Sequence, residues 1–183
     1  MFYYVFRLRF RSSFMVATFL LIALTALPAV AADPLNVHIG YLQWKPDTGP
    51  VLSNVLPEPK DAGLRGAELA IADNSTTGKF MGHLYELTAR VADSEQAAIT
   101  EFESLQQQGV QVFVANVPAS TLTAMMNKAN ADTLVFNAGA ADDTLRTREC
   151  NSNLLHTLPS YAMLTDALNQ WLQLRRWNEV FLI

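Results

Sequence analysis

Side chains able to do acid–base, nucleophilic or metal chemistry are few in this sequence and widely spaced. His38, His83 and His156 have no metal-ligand spacing, and each reads as a surface histidine or one satisfied within the fold. Cys150 is the one cysteine. A nucleophilic thiol needs a base and an orienting group, and no signature here supplies them. Asp142-Asp143 offers charge for a cation, but two adjacent acids at the start of a turn read as solvated caps. No nucleophile elbow, Walker loop or dinucleotide fingerprint is present. The residue types therefore point away from an enzyme, a metal centre or a cofactor, and toward non-covalent binding.

The elements that would carry a binding site follow from periodicity. Asn36 to Gln43 alternates as a strand, with Val37, Ile39 and Tyr41 on one face and His38, Gly40 and Leu42 on the other. Trp44 to Lys60 is a long Pro/Gly/Asp/Asn-rich loop, of a length more often functional than idle. Asp61 is placed to cap a helix carrying Leu64, Ala67, Leu69, Ala70 and Ile71, expected to end around Asn74 to Gly78. His83 to Ala92 is strand-like. Ser94 then caps a helix with Ala98, Phe102 and Leu105 on one stripe, and Gly109 sits where its C-terminus needs glycine.

Val110 to Ala115 is a nearly all-apolar strand of the kind buried on both faces of a parallel sheet. A helix from about Pro118 to Asn130 follows, with Leu122, Met125, Met126 and Ala129 at helical spacing and the Met pair as core filling. Thr133 to Phe136 is the next strand, Ala138 to Pro159 is irregular, and a helix from Ser160 to Arg176 is expected to bury Leu164, Leu168, Trp171, Leu172 and the stem of Arg175. Alternating strands and helices predict an α/β fold with a doubly wound parallel sheet.

In such sheets ligands bind outside the carboxyl ends of the strands. Those ends are Gln43 to Pro50, Asp93-Ser94, Asn116 to Thr121 and Asn137 to Asp143, all rich in small and polar residues. Asn116-Val117-Pro118-Ala119-Ser120-Thr121 places hydroxyls and backbone amides at a helix N-terminus, suited to an anionic or carbonyl group.

The termini set the context. Arg7, Arg9 and Arg11 precede an apolar stretch from Phe14 to Leu27, and Pro28-Ala29-Val30-Ala31-Ala32 supplies small residues for cleavage, so residues 1–32 read as a secretory signal peptide. About 14 apolar residues fall short of the roughly 20 that span a bilayer. The leader holds three arginines and no acid. Without it ten basic residues face seventeen acidic ones, a net charge of about −7, with no basic stripe for nucleic acid. In an oxidising compartment Cys150 is either a buried small hydrophobe or paired with a cysteine outside these residues. The run Trp177 to Ile183 reads as a strand at the very end of the chain, which is expected to be the front part of a longer protein.

Pro46-Asp47-Thr48-Gly49-Pro50 resembles the ligand loop of type I periplasmic solute-binding proteins of ABC transporters, the branched-chain amino-acid binding class. Gly63-Leu64-Arg65-Gly66-Ala67-Glu68-Leu69-Ala70-Ile71 resembles the helix after that loop. Val91 to Ser94, Gly109 to Val114 and Leu158-Pro159-Ser160 follow in the family's order. Asn137 to Arg146, Cys150 and His156 to Ser160 look more like the branch associated with PQQ-dependent alcohol oxidation.

The resemblance implies two lobes closing on a small molecule, with 33–157 as most of the first lobe and 158–183 as the start of the second. It implies ligand contacts at Thr48, at Asn116, Ser120 and Thr121, and at Asn137, Ala138 and Gly139. It further implies a periplasmic location, a partner permease in the inner membrane, and no catalysis or cofactor. A periplasmic sensor of the same fold, reporting to a membrane signalling partner, is the alternative. Asn137-Ala138-Gly139-Ala140 stands where amino-acid binders of the class present a Ser-Ala-Thr-like hydroxyl cluster, which puts leucine, isoleucine or valine as ligand in question.

Overall fold

A computed structural model of the chain describes residues 33–47, 49, 59, 61–177, 179 and 181. The signal-peptide reading, Thr48, most of the long loop and much of the final strand-like run lie outside the described residues. Five strands form one sheet: β1 (Leu35–Gln43), β2 (His83–Val91), β3 (Val112–Asn116), β4 (Leu134–Asn137) and β5 (Leu154–His156). Their order is β2-β1-β3-β4-β5 and every neighbouring pair is parallel. Among the described residues four α-helices accompany them: α1 (Ala62–Met81), α2 (Glu95–Gln107), α3 (Ala119–Met126) and α4 (Tyr161–Leu174). A 3₁₀ turn spans Asp143–Arg146.

The core lies between one face of the sheet and helices α2 and α3. Leu42, Phe113, Ala115 and Val135 point from the strands into Phe102, Leu105, Leu122 and Met125, with Met126 at its edge. Each such large side chain contributes about 1.5–3 kcal/mol by leaving water. The Phe102 and Phe113 rings meet edge to face at 4.7 Å. Gly40 lets β1 pass against that ring, because a Cβ there would lie 2.7 Å from Phe113 Cδ1. Residues one step out of phase on β1, Ile39 and Tyr41, face the opposite side, where α1 crosses.

Several element boundaries differ from expectation, each for a local reason. Asp61 does not cap α1 with its side chain; the carboxylate binds Arg65 Nε at 2.9 Å instead. The helix runs past Asn74 to Met81. Asn74 and Thr76 turn their side chains back onto the carbonyls of Ala70 and Ala72, and the left-handed residue that ends the helix is Gly82 at φ 72°. Val110 is not in a strand, since its N–H bonds Leu105 O to close the end of α2 beyond Gly109, at φ 88°. Thr133 is held in a turn by its bond to Gln106 Oε1 at 2.9 Å, so β4 starts and ends one residue later.

Ala138 to Pro159 is not irregular throughout. It contains the 3₁₀ turn and β5, which pairs with β4 over Val135 to Asn137. The capping of α2 by Ser94 holds, with Ala97 N–H on Ser94 Oγ at 3.2 Å.

Helix α4 is the largest correction. Ser160 caps it, with Met163 N–H on its hydroxyl at 3.4 Å, but no residue of the helix is buried. Leu164, Leu168 and Trp171 are about half exposed. The apolar spacing was real, but a stripe records what a helix could bury and not whether a partner is present. The Arg175 guanidinium lies over the Trp171 ring, 5.5 Å from its centre. Cys150 is exposed, which removes the buried-hydrophobe reading of that thiol.

Candidate ligand wall at the carboxyl ends of β1, β3 and β4

The chain passes from β1 outward to β2 and then back across to β3, so the sheet changes direction between β1 and β3. A crevice opens at such a switch point, beyond the carboxyl ends of the two strands. The residues at those ends are Gln43 and Asn116, paired in register. Tyr41 donates its hydroxyl to Gln43 Oε1 at 2.6 Å, and Asn116 Nδ2 donates to the Tyr41 oxygen at 3.2 Å. The first turn of α1 sits on this polar group through Gly63. A Cβ at that position would overlap the Tyr41 hydroxyl and the Asn116 amide, so a larger residue there would displace this polar group.

The same junction opens into a groove of about 510 Å³ between α1 and the sheet. Ile39, Tyr85, Leu87 and Val114 form its floor, Ala67, Ala70 and Ile71 its helical side, and Asn116 and Ala138 its end.

The loop after β4 is organised from within. Asn137 is fully buried, and its Oδ1 accepts from the Gly139 and Ala140 N–H groups at 3.1 and 2.9 Å. Its Nδ2 donates to Ala140 O at 2.6 Å and to His156 Nδ1 at 3.0 Å. The Asn137 carbonyl accepts from both the backbone and the hydroxyl of Thr157. The Ala138 N–H is bonded to Ala115 O. Gly139 lies against the backbone of Asn116 and Val117, where a Cβ would come within 2.8 Å of Asn116 Oδ1.

The structure thus brings Asn116, Ala138 and Gly139 together at one edge, with Ala138 and Gly139 exposed. Asn137 lies behind them. Ser120 is exposed on the first turn of α3, whereas Thr121 is fully buried, its hydroxyl without a hydrogen-bond partner. Pro118 stands at the N-cap of α3 and supplies no side-chain acceptor.

The ionisable groups near this edge hold structure. His156 sits below the ordinary imidazole range, chiefly because burial disfavours its charge and secondly because Arg146 is close. Arg146 Nη2 donates to Leu158 O at 2.6 Å. Asp143 accepts the Ala162 N–H at 3.2 Å, capping α4 from across a loop. His38 bonds Thr88 Oγ1 at 2.7 Å, and His83 meets the Tyr85 ring edge on. Among the described residues no group of three His, Cys, Asp or Glu is placed to hold a metal ion. The arrangement presents hydrogen-bonding edges beside an apolar groove.

Sequence reasoning placed Gln43 at a strand's carboxyl end and Gly63 and His156 in family-like motifs, but gave none of them, nor Tyr41, a role at the site. The i, i+2 spacing of Tyr41 and Gln43 on a strand was a readable signal for those two. The roles of Gly63 and His156 depend on contacts from distant segments.

No protein-family model matches the sequence, and no curated protein matches it. Among solved structures, the chain superposes on the closed conformation of a leucine-, isoleucine-, valine-, threonine- and alanine-binding protein from Brucella ovis. The TM-score is 0.59 at 18% identity, over 79% of this chain and 37% of that one. A periplasmic binding protein from Burkholderia mallei aligns over 80% of this chain and 37% of its own, at 18% identity and a TM-score of 0.49. The chain therefore spans well under half the length of these neighbours, and over the part that superposes its fold is the parallel α/β fold of a periplasmic binding protein.

Proposed function

We propose that residues 33–157 form one wall of the ligand cleft of a periplasmic solute-binding protein that delivers a small organic molecule to an ABC importer in the inner membrane. The observation that carries this is the wall itself: polar and exposed backbone groups of Asn116, Ala138 and Gly139 converge at the switch point of a sheet whose fold matches a periplasmic amino-acid-binding protein. Ser120 extends the wall, Asn137 and Thr121 support it from behind, and Thr48 is a further ligand contact that the family resemblance implies. Binding proceeds without covalent chemistry, by closure of a second lobe over the ligand.

Coverage of 37% of the neighbour supports a second wall supplied from outside this lobe, with Leu158 onward beginning it. Residues 1–32 act as an export signal cleaved after Ala31 or Ala32. Within the class, the residues from Asn137 to Arg146 with Cys150 favour the branch associated with PQQ-dependent alcohol oxidation.

One wall alone leaves the ligand open to water, which competes for every hydrogen bond. The test is calorimetry of small organic solutes against residues 33–183 alone and together with the proposed second lobe. The two-lobe protein is expected to bind at least tenfold more tightly, about 1.4 kcal/mol. Binding within that factor would place the whole site in this lobe and refute the two-wall reading. No binding of any solute by the two-lobe protein would refute the solute-binding role.

A further inference from the structure

The groove beside the wall differs in charge from what a free amino acid needs. Among the described residues its lining contains no carboxylate, ammonium, guanidinium or imidazole group. The backbone donors that a carboxylate would seek at Ala138, Gly139 and Ala140 are engaged. Ala138 N–H bonds Ala115 O, and the Gly139 and Ala140 N–H groups bond Asn137 Oδ1. Asn137 Nδ2 is engaged twice, by Ala140 O and His156. Asn74 Nδ2 is turned onto its own helix at Ala70 O.

The polar side chains among its described lining residues are Tyr41, Asn74, Tyr85 and Asn116, all uncharged, and the Asn116 carboxamide gives one amide hydrogen to Tyr41 and retains a second hydrogen and its carbonyl oxygen. The first-turn amides of α3 lie outside the lining. A zwitterion entering this space would lose the hydration of two charges with no opposite charge to meet either.

We propose, resting on the solute-binding reading above, that the groove takes a neutral aliphatic molecule bearing one uncharged carbonyl, amide or hydroxyl head. The head pairs with the Asn116 carboxamide and the hydrocarbon body lies against Ile39, Ile71, Leu87 and Val114. A volume of about 510 Å³ holds a small organic molecule of this kind. The ligand class thus differs from the amino acids bound by the Brucella neighbour, although the fold is shared.

The test uses 3-methylbutanamide, 3-methylbutanoate and leucine, which share an isobutyl group and differ in charge. Each is titrated into the chain labelled at isoleucine methyls and asparagine amides and followed by NMR. The Ile39 and Ile71 methyls and the Asn116 side-chain amide are expected to shift with the amide at a half-saturation at least tenfold lower than with leucine or the carboxylate. Asn116→Leu is expected to erase that preference. Its fold is checked by unchanged signals from residues remote from the groove. Ile71→Ala, which leaves the polar cluster intact, is expected to weaken all three probes together.

Equal or tighter binding of leucine at the same methyls would overturn the neutral class and leave the solute-binding reading standing. Methyl shifts that follow protein concentration without any probe would place a second copy in the groove and overturn the proposal. Absence of shifts with every probe would overturn the groove as a site. The broader reading falls only if solutes of neither charge class move Asn116 or Ser120.

Discussion

Replacing Asn137 by leucine tests whether the loop at the ligand wall depends on one buried side chain. Leucine keeps the branching and heavy-atom count of asparagine and removes all four hydrogen bonds. Two of the abandoned partners, the Ala140 N–H and carbonyl, are buried; the Gly139 N–H and His156 Nδ1 are partly buried. A stranded buried polar group costs about 1–3 kcal/mol. The two fully buried groups alone therefore set a loss of about 2–6 kcal/mol, a large part of the roughly 5–15 kcal/mol that holds a domain together. In a unit of this size that corresponds to a fall in Tm of roughly 4–24 °C. Urea unfolding followed by circular dichroism reads the loss as a lower midpoint at constant slope. Asn137→Asp is a second arm: it keeps the acceptor for the Gly139 and Ala140 amides but turns a carboxylate oxygen toward Ala140 O. It should be unstable at neutral pH and partly recover in acid, where the protonated carboxyl donates again. A loss below about 1 kcal/mol for Asn137→Leu, the net worth of one ordinary hydrogen bond, would refute the reasoning.

Gly40→Ala should cost about 1–3 kcal/mol through overpacking, because its Cβ would meet the fixed Phe113 ring at 2.7 Å; unfolding titrations check it, and a neutral effect would mean the ring moves freely. His156 is held below its usual pKa of 6.5, so folding favours its neutral form. The stability it contributes is complete above about pH 6.5 and lost as pH falls toward the folded value, while the unfolded chain takes up the proton first. His156→Gln should flatten that part of the stability–pH curve. Exposed Cys150 should react with iodoacetamide in the folded chain without denaturant, and a thiol that reacts only after unfolding would contradict its placement.

The α/β class and most elements were legible because their signals are local. Ser94 before an apolar stripe, Gly109 after it and the apolar run of β3 need no knowledge of the rest of the chain. What was not legible depended on distance. β5 has three residues, too few for a period, and it is a strand only because Asn151 to Asn153 turn it alongside β4. Asn74 to Gly78 read as a helix end because those residue types favour turns, yet Asn74 and Thr76 satisfy themselves on the preceding turn and let α1 continue. The stripe on α4 was read correctly as a pattern and wrongly as a buried face, since burial needs a partner that periodicity does not contain.

The wall was legible by position and less so by role. Strand ends told where polar residues would gather, and Asn116, Ala138 and Gly139 do meet there. Asn137 fits the same rule and the same residue type, yet its carboxamide turns inward, because the alternation of β4 places it on the buried face with Val135. That inward turn has two consequences that a linear reading does not show. It occupies the loop's own Gly139 and Ala140 amides, so that they are not free to meet a carboxylate. It also ties the loop to His156 and Thr157, the last residues before the link into α4. A displacement of Ala138 or Gly139 therefore reaches a side chain bonded to that link. The coupling runs both ways, so displacing the His156–Thr157 segment should loosen the wall as surely as cutting Asn137 does.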